Sequence, residues 1–260
     1  MLVAPEADIE GLPELPLWLA VADSQDGIGH ILAVAIDSAL QRRGLAARAV
    51  AVLTQAEVAA DDPAFTEPTK PIGSQLTADM ARMRVAEDGW TVAETSAGVF
   101  RRVVASPRPV RIVEAEQIQV LVDAGGGGIP VLRENGEWRS GGAVIDKDRA
   151  SALLAITAAV DTLVLVTGVD HVYVGFGTPG QRALAEVHPG EVRALLEAGE
   201  FPVGSMDPKV ESALSFLAGG GRRAVITSLP RLRDALAGRA GTPITSPDHP
   251  GPALSPSASR

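Results

Sequence analysis

No cysteine occurs in the 260 residues, and aromatic side chains are scarce at 3%: five Phe, three Trp and one Tyr. Without thiols there is no disulfide, thiolate nucleophile, iron–sulfur cluster or cysteine-bound zinc. The four histidines, His30, His171, His188 and His249, are scattered without metal-ligand spacing, so a transition-metal site is not expected. Positive charge is also short: 23 Lys and Arg face 32 Asp and Glu, a net charge of −9. A broad basic surface for nucleic acid is not expected, and an anionic ligand would need cations concentrated in one pocket. No Gly-x-Ser-x-Gly turn is present, which leaves a serine hydrolase without support.

Uninterrupted apolar runs are missing as well. The longest, 152–169, carries Asp161 at its middle and is flanked by Lys147, Asp148, Arg149 and Asp170, so it reads as a buried helix then a buried strand, not a membrane span. The first ten residues hold Pro5, Glu6, Asp8 and Glu10 in place of a basic segment and an apolar stretch, so secretion is not indicated and a cytoplasmic location is expected.

What is present is 46% hydrophobic residue with a mean hydropathy of +0.16, enough for a sizeable core built from Ala, Val, Leu and Ile. Helical spacing marks 29–43, 148–159, 191–198, 208–218 and 230–236; short apolar runs at 49–53, 162–166, 224–227 and 241–245 mark strands. This alternation predicts an α/β domain over 1–245 with a mostly parallel sheet covered on both faces. The stretch 54–104, with Pro63, Pro68, Pro71, Trp90 and Phe100 and no long buried run, reads as an irregular lobe or lid inserted in that domain. The Pro- and Ser-rich segment 246–260 reads as a disordered tail.

Five motifs could carry chemistry. Gly125, Gly126, Gly127 and Gly128 follow an apolar run and expose backbone N–H groups suited to an oxyanion, or else form a plain flexible turn. The segment Ile145-Asp146-Lys147-Asp148 precedes a helix; Asp148 can cap its first turn, and Lys147 can face an anion at that positive end. Lys70 sits in the Pro- and Gly-stiffened turn Thr69-Lys70-Pro71-Ile72-Gly73, where a solvated surface lysine is the plain alternative. Lys209, in Gly204-Ser205-Met206-Asp207-Pro208-Lys209, falls on the first turn of a helix, where the dipole disfavours a cation unless a phosphate shares the site. Thr167-Gly168-Val169-Asp170 closes the strongest strand, at the ligand edge of an open α/β sheet.

In order along the chain, Pro68-Thr69-Lys70-Pro71-Ile72-Gly73, Arg101-Arg102-Val103-Val104, the glycine run with Ile129-Pro130-Val131, Ile145-Asp146-Lys147-Asp148 and Gly204-Ser205-Met206-Asp207-Pro208-Lys209 resemble the carbamate kinases of the amino acid kinase superfamily. The resemblance runs from about residue 15 to 245. It implies a three-layer αβα sandwich with a small protruding lobe, usually a homodimer, that transfers a phosphoryl group between ATP and carbamate, giving ADP and carbamoyl phosphate with Mg²⁺. In the arginine deiminase route the reaction runs toward ATP. Lys70 and Lys147 would then clamp the transferred group, with Asp148 orienting the lysines. Lys209 and Met206 would meet the nucleotide, Gly125 to Gly128 would line the acceptor site, and Thr167, Gly168, Val169 and Asp170 would border the nucleotide. No metal-ligand residue, membrane or nucleic-acid partner is implied. Phosphoryl transfer asks chiefly for positioned cations and N–H donors, which fits isolated lysines in an acidic chain.

The family also carries a Gly-Gly-Asn-Ala loop and a His-Gly-Asn-Gly-Pro-Gln loop that this sequence does not contain, so an N-terminally incomplete sheet is expected. The competing expectation, of a different class, is a noncatalytic truncated relative that keeps at most nucleotide or partner binding.

Overall fold

Strands rich in Val, Ile and Leu form where both faces can be buried, and β11 (Arg223–Ser228) illustrates this. It pairs in parallel with β8 (Thr162–Thr167), from Arg223 opposite Thr162 to Ser228 opposite Thr167, and antiparallel with β12 (Thr242–Thr245). Successive side chains point to opposite faces, so Ala224 and Ile226 enter one core and Val225 another. The first core takes Val210, Ala213, Leu214 and Phe216 of α5 (Asp207–Ala218), Val192 of α4 (Pro189–Glu197), and Ala152 and Ala155 of α3 (Lys147–Thr157). The second takes Ala235 of α6 (Leu232–Leu236). This sheet therefore carries helices on both faces. A hairpin of β9 (Val172–Val174) and β10 (Arg182–Leu184) adds Val172 and Leu184 to the first core.

The computed structural model describes residues 16–46, 49, 51–115, 127–135, 137–185 and 187–245. The chain divides into two units, Met1–Ala150 and Ser151–Arg260; the sheet above belongs to the second. In the first, β1 (Gln55–Val58) pairs in parallel with β6 (Ile129–Glu134), and the antiparallel strands β5 (Pro109–Ile112) and β7 (Glu137–Ser140) flank them, in the order β5-β1-β6-β7. The long helix α1 (Leu17–Arg42) packs on β6. Its buried Gln25 donates through Nε2 to Thr54 Oγ1 at 2.9 Å, just before β1.

A second, antiparallel sheet in this unit runs β2 (Lys70–Leu76), β4 (Val99–Val104), β3 (Val92–Ser96). Against it lies α2 (Ala78–Asp88), opened by Thr77 Oγ1 accepting from the Met80 N–H and closed by Gly89 in the left-handed conformation. The guanidinium groups of Arg84 and Arg102 lie over the Trp90 ring, 5.2 and 4.6 Å from its centroid.

Three expectations change. The first helix extends from Leu17 through Gly27 and Gly29, because two glycines at about 1 kcal/mol each do not interrupt a helix this long. The strand expected over 49–53 lies instead at β1, with residues 51–54 in no regular element; pairing of Gln55 with Ile129, and of the Gln55 N–H with Glu114, sets that register. The supposedly irregular stretch 54–104 holds β1 of the first sheet and all of the second sheet with α2. Its strands are half-exposed and interrupted by polar residues, so apolar patterning did not reveal them. Gly125, Gly126 and the segment 246–260 lie outside the described residues. Among the described residues no helix is long and apolar enough to cross a membrane; the apolar run 152–169 divides between α3 and β8.

Candidate functional site

In the first unit the site grows from the residue that opens α3. Asp146 lies immediately before the helix and is buried; its Oδ1 accepts the Asp148 N–H at 3.0 Å and its backbone carbonyl accepts the Ala150 N–H at 3.0 Å. That is the geometry of an N-cap, so the capping expected of Asp148 is performed by Asp146, because only the residue just outside the helix can reach the free N–H of the first turn. The other oxygen, Oδ2, accepts from Nζ of Lys70 at the start of β2. The Lys70 side chain retains 23% of its exposure and that of Asp146 6%.

Lys147, the first residue of α3, is placed differently. Its side chain is 58% exposed, with Nζ 3.4 Å from Oδ2 of the buried Asp148. Burial pushes the Asp146 carboxyl upward. The Lys70 ammonium beside it, its hydrogen bond, the Asp148 N–H and the charge of Lys147 together outweigh burial and hold it below its ordinary value. Gly127 reaches the same segment, and Gly128 lies against Ala56 and Thr54. A Cβ on Gly127 would meet the Ile145 carbonyl oxygen at 2.2 Å, and Gly128 has φ +85°. The first unit thus gathers Lys70, Asp146, Lys147, Asp148 and the end of the glycine run: two ammonium groups, each beside a buried carboxylate.

In the second unit, Thr167 ends β8 opposite Ser228 at the end of β11. Gly168, Val169 and Asp170 follow, and the Ser228 hydroxyl is 2.5 Å from Oδ1 of the exposed Asp170. Lys209 is the third residue of α5, after Asp207 and Pro208, and is only 6% exposed. Met206 caps that helix through its backbone carbonyl, which accepts the N–H groups of Lys209 and Val210. Among the described residues no group of three or more His, Cys, Asp or Glu could hold a metal ion.

Reading the sequence missed Asp146 and Ser228 as members of these groups. A signal for the first was available: only three of the 23 basic residues are lysines, Lys70, Lys147 and Lys209, each inside a candidate motif. A chain that uses arginine everywhere else keeps lysine where a compact ammonium matters, and the carboxylates beside each lysine were the natural places to look.

The sequence signature described as the amino acid kinase family matches residues 29–228. Carbamate kinase-like protein YahI of Escherichia coli K12 is 44% identical over 244 residues, covering 90% of this chain and 77% of that protein. Carbamate kinase 3 of Staphylococcus aureus is 44% identical over 240 residues, covering 89% and 78%. The chain belongs to the carbamate kinase branch of the amino acid kinase family. A solved structure of that branch, carbamate kinase from Giardia lamblia bound to AMP-PNP, superposes with a TM-score of 0.80 at 38% identity, covering 94% of this chain and 80% of that one. The amino acid kinase fold expected from the motifs is thus the fold of the chain, and phosphotransfer is the chemistry of its family.

Proposed function

We propose that this protein is a carbamate kinase, catalysing reversible phosphoryl transfer between ATP and carbamate. In the ATP-forming direction a β-phosphate oxygen of ADP attacks the phosphorus of carbamoyl phosphate. A new P–O bond forms while the P–O bond to carbamate breaks, and carbamate leaves with the electron pair. The observation that carries this reading is the placement of Lys70 on Asp146 and of Lys147 on Asp148, in a segment that Gly127 closely approaches. A loose phosphoryl transition state needs positioned positive charge and N–H donors and little covalent work.

In this reading Lys70 and Lys147 hold the transferred phosphoryl group, Asp148 orients them, and Gly125, Gly126, Gly127 and Gly128 line the carbamate site. Lys209 meets the nucleotide phosphates, and Thr167, Gly168, Val169, Asp170 and Met206 border the nucleotide. Mg²⁺ enters as part of the nucleotide substrate. A cytoplasmic homodimer working toward ATP in an arginine deiminase route completes the proposal.

The test is ATP formation by the purified chain from MgADP and carbamoyl phosphate, read through hexokinase and glucose-6-phosphate dehydrogenase. Turnover with carbamoyl phosphate well above that with acetyl phosphate is expected. No ATP above the enzyme-free rate, or equal turnover with both phosphates, overturns the reading. Sedimentation equilibrium measures the dimer separately.

A further inference from the structure

The pair formed by Lys70 and Asp146 joins residues 76 positions apart, from the start of β2 to the cap of α3. The carboxylate has no freedom to choose a partner, because its second oxygen is tied to the Asp148 N–H in the first turn of the helix. A carboxylate buried to 6% exposure needs a counter-charge, and Lys70 supplies it. Lys147, although adjacent to Asp146 in sequence, stays largely in solvent and reaches Asp148 instead. The two lysines assigned to the phosphoryl group are therefore in different states: one is largely buried against Asp146, the other is largely exposed beside Asp148.

We infer that Asp146 is the resting counter-ion of Lys70, holding the ammonium in place until an anionic phosphoryl group displaces it. The pair itself stands on geometry, whereas the identity of the displacing group rests on the carbamate kinase reading. A phosphoryl dianion offers Lys70 more negative charge than one carboxylate does, so the ammonium transfers. Asp146 then remains beside the site as a fixed negative charge that disfavours prolonged retention of the anion. Asp146 is thus a positioning residue that trades affinity for a prepared Lys70.

Two consequences separate this from a structural role. Neutralising Asp146 removes a repulsive charge and the restraint on Lys70 together, so Asp146→Asn is expected to lower kcat about 100-fold while KM for carbamoyl phosphate stays level or falls. A merely structural loss lowers the active fraction and does not free Lys70. The second consequence is read without turnover. The chain has only three lysines, so trace acetylation followed by mass spectrometry reports on each. An amine must leave its ion pair before attacking the reagent, and the Lys70 to Lys147 labelling ratio is expected to rise about five-fold in Asp146→Asn.

Asp146→Glu keeps the charge and provides the test if the Asn variant does not fold: slow labelling of Lys70 is expected to persist while kcat falls, because the longer arm displaces the ammonium. An unchanged labelling ratio in Asp146→Asn overturns the inference, as does a raised KM with unchanged kcat. So does Lys70 in Asp146→Glu labelling as fast as Lys147. If the labelling shift occurs in a chain that forms no ATP, the counter-ion role stands and the carbamate kinase reading alone fails.

Discussion

Gly127 lies so close to Ile145 that a Cβ on it would stand 2.2 Å from the Ile145 carbonyl oxygen and 2.6 Å from the carbonyl carbon. The obstacle is backbone, which no rotamer change relieves, and it sits one residue before Asp146. Gly127→Ala must therefore push the glycine run or the α3 cap out of place, at about 1–3 kcal/mol. The expected outcome is a Tm lowered by roughly 2–4 °C for each kcal/mol, with ATP formation impaired in the protein that remains folded. Gly142→Ala in the same unit is the control, since a Cβ there meets nothing within 4 Å. Equal melting temperatures for the two variants would refute the close contact.

The pairing of Asp146 makes stability depend on pH with a definite sign. Lys70, the Asp148 N–H and Lys147 depress the folded carboxyl against the opposing effect of burial. A depressed carboxyl contributes its full stabilisation above the unfolded value and loses it as pH falls through the folded value. Asp146→Asn lacks this contribution at every pH. At neutral pH the wild type should melt higher by the equivalent of about 1–3 kcal/mol, the cost of losing a charged hydrogen-bond partner, and the two curves should converge in acid. Thermal melts of both proteins at a series of pH values decide this, and a gap that stays constant below the carboxylate range contradicts it.

Lys147 separates catalysis from folding. Its side chain is 58% exposed, so Lys147→Ala should leave the unfolding free energy within about 0.5 kcal/mol of the wild type, as for other exposed positions. Removing a cation from the developing phosphoryl charge costs about 10²–10³ in kcat. Lys147→Arg should recover only part of the loss, because a planar fork does not replace a compact ammonium. Steady-state ATP formation by the two variants checks this; full activity in Lys147→Ala removes Lys147 from the site.

How far the sequence foretold these features depends on the range of the interactions involved. Helix α5 announced itself through Pro208 near its start and through Val210, Ala213, Leu214 and Phe216 on one face, and β8 and β11 through runs buried on their inner faces. Those are local signals. The second sheet of the first unit was invisible because Lys70, Ile72, Phe100 and Arg102 are only partly buried and become strands by pairing with one another across the chain. The same limit hid Asp146. Its place just before a helix was legible, but a hydrogen bond to Lys70 is a tertiary event, and proximity in sequence favoured Lys147 and Asp148. Ser228 was missed similarly, since its partner Asp170 is 58 positions away.

Lys209 offers the sharpest test on the nucleotide side. It is a cation 6% exposed on the first turn of α5, where the helix dipole opposes it and favours an anion. Lys209→Met retains an unbranched stem and removes the charge. The wild type should gain about 2.7 kcal/mol from ADP at 100 times its Kd, seen as a higher Tm. At the same ADP concentration the variant should lose most of that gain, and its KM for ADP should rise by at least about ten-fold, while kcat at saturation falls less than in Lys147→Ala. An undiminished ADP-dependent rise in Tm would show that the nucleotide phosphates do not reach Lys209, and the assignment of the α5 terminus to the nucleotide would then be abandoned.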